Sequence, residues 1–169
     1  MGLFSKDFHT LDDLFVHTLL DIYYAENRIV EALPDMIEKA FEPQLIQAFK
    51  SHLGETEKHI SRLQEVFRMY DVEVKGVDCP AIDGILEEVD DLVNEVDDRT
   101  VLDAALIAAA QLVEHYEIAR YDSLIAWAKE LGRSDCASVL DKNLEEEKAT
   151  SRKLTLIADA RVNIPGATI

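Results

Sequence analysis

An all-α protein built on four long helices is what this sequence predicts, and three observations carry the prediction. Helix breakers are scarce, with six glycines and four prolines in 169 residues. Ala, Leu, Ile, Val, Glu and Asp dominate, which favours helix. Apolar side chains recur at steps of three and four rather than two, the period of an amphipathic helix. The length suits one domain spanning 1–169, and 48% apolar content is enough for a sizeable core.

The first helix is predicted over about 10–40. Thr10 followed by Asp13 reads as a capping box. Leu11, Phe15, Thr18, Ile22, Ile29, Leu33 and Met36 then form its stripe. Pro34 lies inside and is expected to kink it or end its regular part. The second helix is predicted over 43–70. Pro43 suits a first turn, and Leu45, Phe49, Leu63, Val66 and Tyr70 make the stripe. Gly54 weakens it locally or admits a close neighbour.

The stretch 71–98 differs, with Gly76, Cys79, Pro80 and Gly84 followed by the amphipathic piece Ile85-Leu86…Val89…Leu92-Val93…Val96. It reads as a long crossover carrying a short helix over 81–97. The third long helix is predicted over 100–131, with Thr100 capped against Asp103 and Gly132 as its C-cap. Ser134 is expected to cap the fourth, over 134–160, and Ile164-Pro165-Gly166 to end the order. Two hairpins joined by one long crossover make an up-down four-helix bundle of ferritin-like topology. A shift of 91 positions lays one hairpin on the other. It brings Leu33 onto Leu124, Leu63 onto Leu154, Glu26 onto Glu117 and Glu55 onto Glu146.

A formal net charge of −17 repels phosphate backbones and anionic lipid, so neither nucleic acid nor a membrane surface is an expected partner. No apolar run is long enough to span a bilayer, and the MGLFSKDFHTLDDLF start lacks a signal-peptide pattern. Cys79 and Cys136 show no metal or redox spacing and are read as free thiols, with a cytoplasmic location as the expectation.

Acids interrupt the apolar stripes. Glu26 falls on the line Ile22, Glu26, Ile29, Leu33, and Glu55 lies on the line Phe49, His52, Glu55, His59, Leu63. Glu117 sits between Val113 and Leu124, Glu114 is a turn earlier, and Glu147 is seven residues from both Leu140 and Leu154. A lone buried glutamate costs several kcal/mol unless paired or neutralised. One inward acid on each of four helices is resolved by a pair of divalent ions, whose charge compensates the carboxylates. On the second helix either His52 or His59 can ligate. On the fourth, the internal repeat points to Glu146 and the stripe to Glu147. Tyr23, Tyr24, Tyr116 and Tyr121 lie within a turn or two of these acids, in reach of an outer hydrogen bond.

The runs DLFVHTLLDIYYAENRIVEAL, SHLGETEKHISRLQEVF, DAALIAAAQLVEHYEIARYDSLIAWAKELG and LEEEKATSRKL resemble the YciE/YciF family of bacterial stress-response proteins. The resemblance covers nearly the whole chain. It implies a ferritin-like bundle related to rubrerythrin and manganese catalase, with a dinuclear iron or manganese centre. The pattern assigns Glu26 on the first helix, Glu55 with His52 on the second, Glu114 and Glu117 on the third, and Glu146 or Glu147 on the fourth. The sequence departs from it in the reversed order of His52 and Glu55, and in Thr150 standing where a histidine is expected. A cysteine-rich electron-donor module is absent from these residues. The expected role is metal binding in defence against oxidative or other stress, with peroxide reduction or dismutation as the reaction class. A metal-free helical scaffold is the alternative, an iron-storage cage ranks last, and a homodimer is the expected assembly.

Overall fold

The computed structural model describes residues 8–74 and 77–162. Among them the chain forms five helices and no strand: α1 Leu11–Lys39, α2 Pro43–Met69, α3 Pro80–Asn94, α4 Arg99–Glu130 and α5 Ser134–Val162. The Ile164-Pro165-Gly166 stop and Gly76 lie outside the described residues.

The start of α1 follows from local chemistry. Thr10 Oγ1 accepts from Asp13 N at 3.1 Å, and Asp13 Oδ2 accepts from Thr10 N at 3.0 Å. Pro34 neither ends nor interrupts α1, which continues to Lys39. Its ring sits on the exposed face, where water can satisfy the carbonyl it leaves without a partner. Nothing lies within 4 Å of a Cβ built on Gly54, so no close neighbour explains that glycine.

The start of α4 differs from expectation. Asp98, not Thr100, is the N-cap, and its Oδ1 accepts from Thr100 N at 2.8 Å and Val101 N at 3.0 Å. Asp103 instead reaches across to the turn between α1 and α2, accepting from Phe41 N at 2.8 Å and Glu42 N at 3.0 Å. Committing Asp98 to a cap also explains why α3 stops at Asn94 rather than 97. The chain must leave one helix before it can cap the next. Gly132, at φ +73°, closes α4: Arg133 N donates to Ala128 O at 2.7 Å and Gly132 N to Lys129 O at 3.1 Å. Ser134 is the first residue of α5 rather than its cap.

Each long helix packs on two others: α1 on α2 and α4, α5 on α2 and α4. The short α3 lies against α1 and α4. Phe15, Leu19, Ile22, Leu45, Phe49, Leu63 and Leu124 all belong to one buried apolar core. Across the middle of that interior runs a belt of buried polar residues.

Candidate metal centre

Helical periodicity places the belt. Glu26 is one turn beyond Ile22 on α1, and both are fully buried. His52 and His59, two turns apart on α2, turn to the same interior and are 3% and 0% exposed. Glu114 and Glu117, three apart on α4, are 1% and 0% exposed, and Glu147 of α5 is 0% exposed. Four helices thus deliver four carboxyls and two imidazoles to one dry volume.

The ligand atoms converge in two groups, each with its atoms within 4.8 Å of one another: His52, Glu114, Glu117 and Glu147, and Glu26, His59 and Glu147. Glu147 belongs to both. Its Oε1 lies 2.8 Å from His59 Nδ1, and its Oε2 lies 3.9 Å from His52 Nδ1. His52 Nε2 is 3.2 Å from Glu114 Oε1, and His59 Nδ1 is 3.3 Å from Glu26 Oε1.

These approaches are ion-pair contacts rather than aligned hydrogen bonds. Apart from His17 Nδ1, every buried side-chain N or O without a hydrogen-bond partner among the described residues belongs to these six side chains. They include both oxygens of Glu117 and both of Glu147. Unpartnered buried polar atoms are rare in native proteins, and a group of them sharing one focus is what cation ligands look like without the cation. The residues therefore fit a pair of metal ions. Imidazole and carboxylate donors with no thiolate are compatible with divalent metals, iron and manganese among them.

The electrostatics agree. Burial pushes the Glu114 and Glu117 carboxyls well above the usual range, and Glu147 and Glu26 add repulsion. Burial likewise raises Glu26. Glu147 is held low in spite of burial, by the two histidines beside it. Burial works against a charge on His59, but Glu147 and Glu26 outweigh it and push its pKa up to about 10. Burial lowers His52. These shifts favour protonated Glu114 and Glu117 and a charged His59 beside Glu147.

The two remaining sequence candidates lie outside both groups. Glu146 is partly exposed, accepting from Arg62 Nη1 at 2.6 Å and Nη2 at 3.0 Å, with its Oε2 2.8 Å from His59 Nε2. Glu55 is half-buried; it accepts from Thr150 Oγ1 at 3.4 Å and Ser51 Oγ at 3.5 Å. Of the four tyrosines, Tyr121 alone reaches the belt, donating to Glu26 Oε1. Tyr24 bonds Asp83, Tyr116 meets Cys79, and Tyr23 accepts from Gln64.

Asn143 and Arg62 were not singled out from sequence. Asn143 Nδ2 donates to Tyr121 Oη at 2.9 Å, and Arg62 Nη1 donates to Asn143 Oδ1 at 2.9 Å. Their signal was spacing: Asn143 is four residues before Glu147 and Arg62 three after His59. The polar chain Glu26–Tyr121–Asn143–Arg62–Glu146–His59 thus returns to its start.

No described helix is long and apolar enough to cross a membrane. Residues 10–165 match the model of a family described as a domain of unknown function, DUF892. The chain is 42% identical over 155 residues to protein YciF of Escherichia coli, covering 91% of this chain and 93% of that one. The crystal structure of the E. coli stress protein YciF superposes with a TM-score of 0.89 at 41% identity, covering 92% and 99% of the two chains. YcfI of Rhodopseudomonas palustris, described as a putative structural protein, superposes with a TM-score of 0.87 at 54% identity, covering 90% and 98%. This chain belongs to the DUF892 family, that of YciF.

Proposed function

We propose that the four long helices form a single ferritin-like bundle, with α3 carried on the crossover, and that its core holds a dinuclear iron or manganese centre serving peroxide detoxification. The observation that carries this is the concentration of unpartnered buried donor atoms on six residues from four helices. Glu26, His59 and Glu147 would hold one ion, and His52, Glu114, Glu117 and Glu147 the other.

Bound metals supply Lewis acidity and one-electron redox capacity; the chain supplies everything around them. Glu146 receives the Nε2–H of His59, which leaves Nδ1 to face the centre. Arg62 fixes Glu146 by two hydrogen bonds. Tyr121, itself held by Asn143, fixes one oxygen of Glu26 and leaves Oε2 for an ion. The apolar residues above and below the belt exclude bulk water, which strengthens each of these interactions. The E. coli relative is described as a stress protein, in keeping with this reading.

Metal analysis of protein produced in iron- or manganese-supplemented medium tests it, followed by peroxide consumption. Two ions per chain are expected. Less than one per chain under every condition would leave a helical scaffold that kept the fold without the metal.

A further inference from the structure

A groove of about 590 Å³ runs between α1 and α3. Beneath it lies a second, smaller cavity of about 20 Å³. Ala32, Met36 and Leu86 line both, so these three side chains form the common wall. The inner cavity is otherwise bounded by apolar groups such as Ile29, Leu33 and Phe49, and by two members of the metal-binding belt, His52 and Glu114. One layer of apolar side chains therefore separates a surface groove from the candidate centre.

The wall is shared between two helices. Met36 belongs to α1, but half-buried Leu86 comes from α3, the one helix outside the cycle of long helices. Polar contacts fasten α3 to α1 on either side of Leu86. On one side Asp83 accepts from Tyr24 Oη at 2.8 Å and from Arg28 Nε at 3.0 Å. On the other, Lys39 Nζ reaches Asn94 Oδ1 at 3.4 Å. Between these clasps no polar contact spans the groove among the described residues except the 4.0 Å approach of Lys39 to Asp90.

We infer that α3 is a lid and the Leu86 cavity a throat, through which a small uncharged oxidant of two heavy atoms, dioxygen or hydrogen peroxide, reaches the centre. This rests on the dinuclear reading above. At about 20 Å³ the cavity exceeds the roughly 10–15 Å³ that one water needs, which leaves room for a two-atom molecule and little more. The chemistry follows from the lining: desolvating an ion in an apolar passage costs far more than desolvating a neutral molecule. The metal ions themselves must therefore enter elsewhere. The partly exposed Glu55 and Glu146 mark the side of the belt away from α3 on which carboxylates meet solvent.

The test uses the full chain with two opposed variants, Leu86→Ala to open the throat and Ala32→Phe to fill it. Metal content comes first: if the wild type retains no metal, the dinuclear reading itself has failed, and that result is separate from the rest. With ferrous-loaded protein, stopped-flow binding of nitric oxide should be fastest in Leu86→Ala and slowest in Ala32→Phe, with about tenfold between them. Loss of iron to a chelator should be the same in all three. Xenon-pressurised crystals of the metal-free wild type should show an atom beside Phe49 and Leu33, absent in Ala32→Phe. Reaction with dioxygen and with peroxide, measured separately, identifies the admitted oxidant as the one whose rate follows the same order. Should Ala32→Phe fail to fold, Leu86→Ala and xenon still decide. Equal nitric oxide rates in fully loaded wild type and Leu86→Ala, or an empty xenon map, would reduce the cavity to a packing void and overturn the inference.

Discussion

Replacing Glu117 with leucine separates a metal ligand from an ordinary core residue, because the two readings predict opposite signs in two solutions. Glu117 is 0% exposed, and neither carboxylate oxygen has a hydrogen-bond partner. Without metal, burial and repulsion from Glu147 and Glu26 favour its protonated form. Its burial cost is then that of an unsatisfied neutral polar group, about 1–3 kcal/mol. Leucine has a similar volume and no polar atoms to strand, so little cavity term offsets the gain. Metal-free Glu117→Leu should therefore be more stable than wild type by about 1–3 kcal/mol. For a chain of this size that raises Tm by roughly 2–12 °C, at about 2–4 °C per kcal/mol.

With Mn(II) at 100 times its dissociation constant the wild type should gain about 2.7 kcal/mol, and the variant, missing a ligand, much less. The stability order then reverses, or nearly so, between the two solutions. Urea unfolding followed by circular dichroism, once in chelator and once in Mn(II), reads both. The reasoning is refuted if the metal-free variant is destabilised, or if wild type and variant gain equally from metal. Equal gains would put the ion somewhere other than this belt.

Further outcomes follow from the same geometry. Glu114 and Glu117 have folded pKa values raised above their unfolded ones, and His59 is raised to about 10. Raised groups stabilise fully below their unfolded pKa and lose that contribution as pH rises through the folded value. The metal-free fold should thus weaken as pH rises from about 6.5 toward about 10, the window set by His59, and metal binding should tighten over the same rise with release of protons, measurable by titration calorimetry in two buffers of different ionisation enthalpy. Glu146→Ala removes the partner of His59 Nε2 and should weaken metal binding by about 10–100-fold while leaving the far-ultraviolet spectrum intact. Asp103→Ala strips two backbone donors at the turn between α1 and α2 and should cost about 1–3 kcal/mol in urea unfolding, independent of metal. Gly54→Ala meets no neighbouring atom within 4 Å and should stabilise α2 by about 0.5–1 kcal/mol.

The helices and most of the inward-facing residues were legible in the sequence because both depend on local periodicity. A residue on the line Ile22, Glu26, Ile29 is committed to the interior by the helix that carries it, whatever the other helices do. The same logic turned Glu117 and Glu147 inward, and the Thr10–Asp13 capping box needed only three residues of spacing. The capping of α4 lay at the limit of such reasoning: Thr100 and Asp98 are both good caps, and what decided was that Asp103 had a different partner, 62 residues away in sequence.

What periodicity could not decide was which of two adjacent or near-adjacent groups points at the focus. Glu146 and Glu147 differ by about 100° around α5, and only the position of α2 shows that Glu147 faces both histidines while Glu146 meets Arg62 at the edge. His52 and His59 stood as alternatives in the sequence; two turns apart on one helix face, they reach different oxygens of Glu147. The Tyr121–Asn143–Arg62 chain joins three helices, and no single helix carries its signature. Sequence by itself determined which faces are buried, since that is a property of each helix alone. Tertiary structure decided which atoms meet, because a hydrogen bond or a shared ion depends on ångström-scale distances between helices that local sequence does not encode.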